Sequence, residues 1–378
     1  MNSIKSFFIA GFECADHINK FGIRVNLQKI TQHDKRVFQD YRRIKDLGIS
    51  VAREGICWSE VEKKPFVFDF SRLKPFYDAA KYHDIQIIWD LCHFGYPDDL
   101  SPTHPQFSLR FEALAKQFCL FHMKNSKQPL WVVPINEISF LSWLSGEAKG
   151  TVPFTVKNGW EIKYHLCKAK INAIKIIKDI LPNSTVLAVE PLIKIHASEN
   201  NLNNQFIEEK NNYQYQALDI LLGKTCPELG GNENLVDILG VNYYYNCQWN
   251  DKDKILPWPD FSKKRKPFSE MLSEVYQKYK LPMMLTETGH FGKLRSQWIK
   301  EISHQCNLAI KEGVDLNGIC IYPIIDRPDW DNLSVYSQAG AWDLNCRMQR
   351  IPCSSYIETI KNLQFLFEKS TLSYLNPA

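Results

Sequence analysis

The chain has little net charge for its size. Its 46 Lys and Arg nearly balance 42 Asp and Glu, leaving +4 over 378 residues. No field of one sign steers it toward nucleic acid or an anionic surface. No apolar run approaches the ~20 residues that span a bilayer. There is no CxxC pair and no Cys/His spacing of a metal centre. The eleven cysteines are an odd set, and most fall inside expected strands and helices. They read as reduced core thiols in a reducing compartment. Phe7-Phe8-Ile9-Ala10 after Lys5 is too short for a secretory leader and serves better as a first strand. No Gly-rich loop follows it, which argues against a nucleotide cradle. Linkers and low-complexity stretches are also missing. The expectation is a soluble, cytoplasmic protein with one domain over residues 1–378. Neither nucleic acid nor membrane is an expected partner, and oligomeric state stays open.

What is present is apolar and aromatic. Hydrophobic residues make up 44% and aromatics 13%, enough for a large core. Aromatic faces also suit carbohydrate clefts, because sugar C–H faces are apolar. Short apolar runs predict strands over 7–13, 49–53, 85–89, 130–135, 185–189, 236–241, 283–286 and 318–322. Helical periodicity lies between them, over 34–47, 70–83, 107–123, 160–180, 204–222, 268–279, 294–312 and 355–368. In the first helix Phe38, Tyr41, Ile44 and Leu47 form one stripe, and Gly48 stops it. Strict strand–helix alternation argues for α/β. Strands without polar alternation suit a parallel sheet buried on both faces. Eight such units predict a single (β/α)8 barrel. The run Lys263-Lys264-Arg265-Lys266 reads as a solvated loop.

Polar residues gather where the expected strands end. These are Arg53, Asp90 with His93, Asn136 with Glu137, Glu190, Asn242 with Tyr244, Glu287, and Tyr322 followed by Asp326, Asp329 and Trp330. In a barrel these positions face one shared cleft. Glu137 and Glu287 would face each other across it, and two such carboxylates are the minimum apparatus for cleaving a glycosidic bond.

Six segments, in order, resemble the family 1 glycoside hydrolases, the β-glucosidase and β-galactosidase barrels. Arg53-Glu54-Gly55-Ile56-Cys57-Trp58 is similar to the strand 2 motif, with Arg and Trp five apart. His93-Phe94-Gly95-Tyr96-Pro97 resembles His-Trp-Asp-Leu-Pro, and Asn136-Glu137 resembles Asn-Glu-Pro. Gly240-Val241-Asn242-Tyr243-Tyr244 resembles Gly-x-Asn-Tyr-Tyr. Thr286-Glu287-Thr288-Gly289 resembles Thr-Glu-Asn-Gly. Tyr322 through Asp329-Trp330 has the spacing of the strand 8 run. The resemblance implies a retaining β-glycosidase acting on a carbohydrate, with no metal and no organic cofactor. It implies Glu137 as acid/base, its proton held mainly by a neighbouring carboxylate and partial burial, and Glu287 as nucleophile. Arg53 and Tyr244 would hold Glu287 ionised and oriented. Asn136 would contact the sugar 2-hydroxyl. Glu13, His93, Asn242, Asp329 and Trp330 would contact the sugar, and Tyr322 would form the floor. The chain departs from the pattern at Ile138, Thr288, Tyr322 and Asp329, where the family has Pro, Asn, Trp and Glu. It is also shorter than typical members, so its loops and aglycone site are expected to differ.

Blander readings stand beside these. Glu190 reads as a cleft residue or as a barrel ion-pair partner. Trp58, Trp89 and Trp131 read as core, and His104, His165 and His196 show no ligand spacing. The same first contacts would serve a transglycosylase, or a barrel that binds sugar without turnover. A metal-dependent hydrolase would need converging His and Asp ligands, and the strand ends offer chiefly one His.

Overall fold

Eight strands bury alternate residues on two apolar faces, and this double burial explains why no polar alternation marks them. The computed structural model describes residues 3–198, 204–259 and 264–375. The strands are β1 Phe8–Gly11, β2 Val51–Gly55, β3 Gln86–Cys92, β4 Trp131–Ile135, β5 Thr185–Pro191, β6 Ile238–Asn242, β7 Met283–Thr288 and β8 Leu316–Ile321. They pair in sequence order, all parallel, and β8 closes on β1 through Phe8↔Ile319 and Ala10↔Ile321. Inward-facing residues fill the barrel, among them Ile9, Val51, Ile88, Trp131, Val133, Leu187, Val189 and Met284. Their neighbours Phe8, Ala52, Trp89, Val132 and Ala188 face out and pack in the helix layer. Trp58, Trp89 and Trp131 are all buried, as the core reading expects.

The principal helices are α1 His33–Lys45, α2 Lys74–His83, α3 Phe107–Asn125, α4 Ile138–Gly146, α5 Gly159–Ile180, α6 Asn204–Asn212, α7 Gln216–Leu221, α8 Phe268–Tyr279, α9 Arg295–Lys311 and α10 Ser354–Leu375. Two differences from the sequence expectation matter. The helix expected over 204–222 is two helices, broken by a 3-10 turn at Tyr213–Tyr215. The strand-to-helix step after β4 carries an extra helix, α4, beginning directly after Glu137. It is short and carries no charged residue, so a periodicity reading misses it.

All eleven cysteines are free thiols, and eight are buried. Among the described residues no helix is long and apolar enough to cross a membrane. The basic run is not simply solvated. Arg265 donates to the carbonyls of Tyr245 at 2.8 Å and Leu256 at 2.9 Å, and Lys266 pairs with Glu274. Lys263 lies outside the described residues.

Candidate active site

Each polar side chain reaches the barrel mouth for a local reason. On β2, Val51 faces inward, so Arg53 does too, by the two-residue period of a strand. The same parity turns Asp90 inward on β3 and Asn242 inward on β6. Glu287 breaks the rule. Met284 faces inward, so plain alternation would turn Glu287 outward. The register between β7 and β6 shifts between Leu285 and Glu287, and such an irregularity re-aims a side chain. Glu137 depends on Pro134. The β4–β5 ladder stops at Val132↔Val186, ahead of Pro134, which has no N–H to donate. The Val189 carbonyl then accepts the Glu137 N–H at 3.1 Å. Glu137 itself sits at φ 44, ψ 63, a left-handed conformation unusual for a non-glycine residue.

The two carboxyl groups are joined by two amides. Asn242 Nδ2 donates to Glu137 Oε1 at 2.8 Å, and Asn136 Nδ2 donates to Glu287 Oε1 at 3.2 Å. Asn242 Nδ2 also meets Asn136 Oδ1 at 3.5 Å. Glu287 collects two further donors, Arg53 Nη1 on Oε1 at 2.9 Å and the Tyr244 hydroxyl on Oε2 at 2.8 Å. Arg53 is anchored behind by Asp90, which accepts from Nε at 3.0 Å and Nη2 at 2.7 Å. Burial works against the charge of Arg53, and the Asp90 and Glu287 carboxylates more than offset it.

Among the described residues no cation pairs with Glu137, and Arg53 is only a minor influence on it. Burial pushes its carboxyl well above the usual range, and the nearby Glu287 charge adds to this, with Asn242 opposing. The order of causes differs from the sequence expectation, which put the second carboxylate first. The site therefore offers one carboxyl whose ionisation burial disfavours and a second carboxyl held by three donors.

The sugar-reading residues are less open than expected. Glu13 Oε1 accepts from the Cys14 and Ala15 amides at 3.0 and 3.1 Å and from the Tyr322 hydroxyl at 3.0 Å. His93 pairs Nδ1 with Asp90 at 2.7 Å and sets Nε2 3.2 Å from the Tyr322 hydroxyl. The Tyr322 ring stacks on His93 and lies under the Arg53 guanidinium. Gly11 leaves room for it, since a Cβ there would meet Tyr322 Cδ2 at 2.2 Å. Trp330 packs edge-on with His17 and Phe94 beside His93. Asp329 is exposed, and its Oδ1 caps its own turn through the Asp331 and Asn332 amides, both at 2.9 Å. The structure does not join it to the carboxylate network.

Two features escaped the sequence reading. Arg327 sets Nε 3.4 Å from Glu13 Oε2. It lies in a loop that only the closed barrel brings back to β1. Cys14, Asp90 and His93 converge, with ligand atoms within 4.8 Å of one another. Their sequence separation hides this. Arg53 already holds both Asp90 oxygens, and burial pushes the Cys14 thiol well up, so the trio belongs to the hydrogen-bond network.

The sequence matches no protein-family model and no curated protein. Its structure is similar to that of a family 1 β-glucosidase from Thermotoga maritima, with a TM-score of 0.76 at 15% identity over 96% of this chain and 98% of that one. The Thermotoga maritima β-glucosidase in complex with glucoimidazole gives 0.76 at 15% identity, covering 96% and 99% of the two chains. Its complex with deoxynojirimycin gives 0.73 at 16%, again covering 96% and 99%. At this identity the likeness establishes a shared barrel fold.

Proposed function

We propose that the chain is a retaining β-glycosidase that works by double displacement. The observation that carries this reading is the linkage of a buried Glu137, held by a neutral amide rather than by a cation, to Glu287 through Asn242 and Asn136. Glu137 donates its proton to the leaving oxygen as the glycosidic bond breaks, and Glu287 attacks the anomeric carbon. Water, deprotonated by Glu137, then releases the sugar from Glu287. Arg53, Asn136 and Tyr244 orient the nucleophile through fixed donors, which need no rearrangement as the bond forms. The barrel likeness to the Thermotoga maritima β-glucosidase supports the reaction class, and the sugar is open. A sugar acceptor in place of water would give transglycosylation from the same intermediate.

A barrel that binds sugar without turnover is the second reading. It is favoured by the Tyr322 hydroxyl, which sits between Glu13 and His93, and by Asp329, which is turned to its own loop.

The test is intact mass after exposure to 2-deoxy-2-fluoro glycosides of β-gluco, galacto, manno and 6-phospho type. The fluorine slows breakdown of a covalent intermediate. A one-to-one adduct on the wild type, absent from Glu287→Gln, is expected, and the sugar that reacts names the specificity. No adduct and no turnover with any donor favours the binding reading.

A further inference from the structure

Leu187 and Val189 on β5 point into the barrel, so Glu190 points the other way, into the helix layer. There it is 3% exposed, and its partners are amides. Its two oxygens accept the N–H groups of Ile138 and Ser139, both at 2.9 Å. These are the first two residues of α4, and Glu137 immediately precedes them. The first amides of a helix lack intrahelical partners and form its positive pole. Before Glu137, the fully buried Lys170 of α5 donates to the Ile135 carbonyl at 2.9 Å. The segment 135–139 is thus gripped on both sides of the left-handed Glu137.

We propose that Glu190 is a positioning residue for Glu137, holding its backbone turn through the α4 amides and screening the helix pole that favours a carboxylate there. The inference rests on the acid/base reading above and concerns a residue outside the cleft. Accepting on both oxygens suits the ionised, acceptor-only form of Glu190. Burial opposes that charge and on balance raises the carboxyl, while Lys170, the Ser139 amide and Lys163 act in its favour. The Glu190 charge in turn adds to burial and Glu287 in keeping the proton on Glu137. Glu137 also faces Arg53, Tyr244 and Cys247. Glu190 also faces Cys167 and Tyr279. Removing the Glu190 charge leaves the lysines and the helix pole unopposed, so Glu137 should lose its proton at lower pH.

The experiment follows the side-chain carboxyl of Glu137 by carbon-13 NMR in the full chain labelled at glutamate, with Glu137→Gln assigning the signal. In Glu190→Gln the midpoint is expected about one pH unit lower than in the wild type. If the protein turns over glycosides, the basic limb of its kcat/KM profile should move with it. An unmoved midpoint overturns the proposal. A lowered midpoint without turnover on any donor supports the positioning role and counts against the glycosidase reading, so the two can fail separately. Should Glu190→Gln not fold, the wild type decides. The Ile138 and Ser139 amide protons should then shift at a lower pH than Glu137 titrates, and a single common midpoint overturns the proposal.

Discussion

Arg53 and Glu54 are neighbours on β2 and serve opposite faces of it. Arg53 points inward and grips Asp90 with two hydrogen bonds, with His93 on Asp90 and Tyr244 on Glu287 completing the group. Glu54 points outward into a cluster of the same residue types. There Arg350 grips Asp40 with two bonds at 3.0 and 2.7 Å, His33 bridges Asp40 and Glu54, and Tyr41 donates to Glu54. Both groups are buried Arg–Asp–His–Glu–Tyr networks. They differ in one respect. Each acid of the outer group has a cation, whereas the inner group adds Glu137, held by a neutral amide on a left-handed backbone. Matched charges make a brace. On the proposed reading, the unmatched acid is the one that exchanges a proton.

The largest effect should separate the groups by what they lose. Glu287→Gln is expected to lower kcat/KM by at least about 10⁴-fold, the scale for losing a covalent catalytic group. Its melting temperature should change little, because Asp90 still neutralises Arg53. Arg350→Met should do the reverse. Breaking a buried pair leaves Asp40 under-compensated and costs about 3–5 kcal/mol, read by urea unfolding, while kcat per folded molecule stays at the wild-type value. A rate loss without a stability loss in Arg350→Met would break the comparison.

A smaller effect sits on the outer histidine. Burial opposes the charge of His33, yet the Glu54 and Asp40 carboxylates outweigh it and push the imidazole up to about 9. A raised histidine stabilises fully below its unfolded value of about 6.5 and loses that contribution as pH rises through the folded value. Unfolding free energy should therefore fall by about 3 kcal/mol between pH 6.5 and the far side of pH 9. His33→Gln should flatten that slope. A slope that persists unchanged in the variant would assign it to another group.

How far the sequence could be read follows from the same strands. Eight apolar runs reveal the barrel because double burial writes itself into composition. Glu137 and Glu287 stand out because each is a carboxyl group at the end of such a run, inside a segment that resembles a family motif. Their geometry is another matter. The aim of Glu287 rests on a register shift, and that of Glu137 on where a ladder stops at Pro134. Neither leaves a periodic trace. Glu190 was open between cleft and ion pair, although the inward parity of Leu187 and Val189 decides its direction once the barrel is assumed. Asp329 shows the opposite failure. Its spacing fits a sugar ligand, but its loop uses the carboxylate as a turn cap. The outer cluster was invisible, since Arg350 lies 310 positions from Asp40.

The smallest effect gives the sharpest comparison, because one atom is removed from each group. The Tyr244 hydroxyl donates to Glu287 Oε2 at 2.8 Å, and the Tyr41 hydroxyl donates to Glu54 Oε1 at 3.1 Å. A hydrogen bond to a charged partner is worth about 2 kcal/mol, so each Phe variant forfeits a similar interaction. The consequence should differ. In Tyr244→Phe the freed oxygen belongs to the proposed nucleophile, so the loss should appear as about a 10- to 30-fold lower kcat, with stability nearly unchanged. In Tyr41→Phe the same energy should appear in unfolding, with kcat untouched. Equal stability losses in the two variants, and no rate difference, would mean that the inner group is also only a brace, and that the two carboxylates meet at the barrel mouth without doing chemistry there.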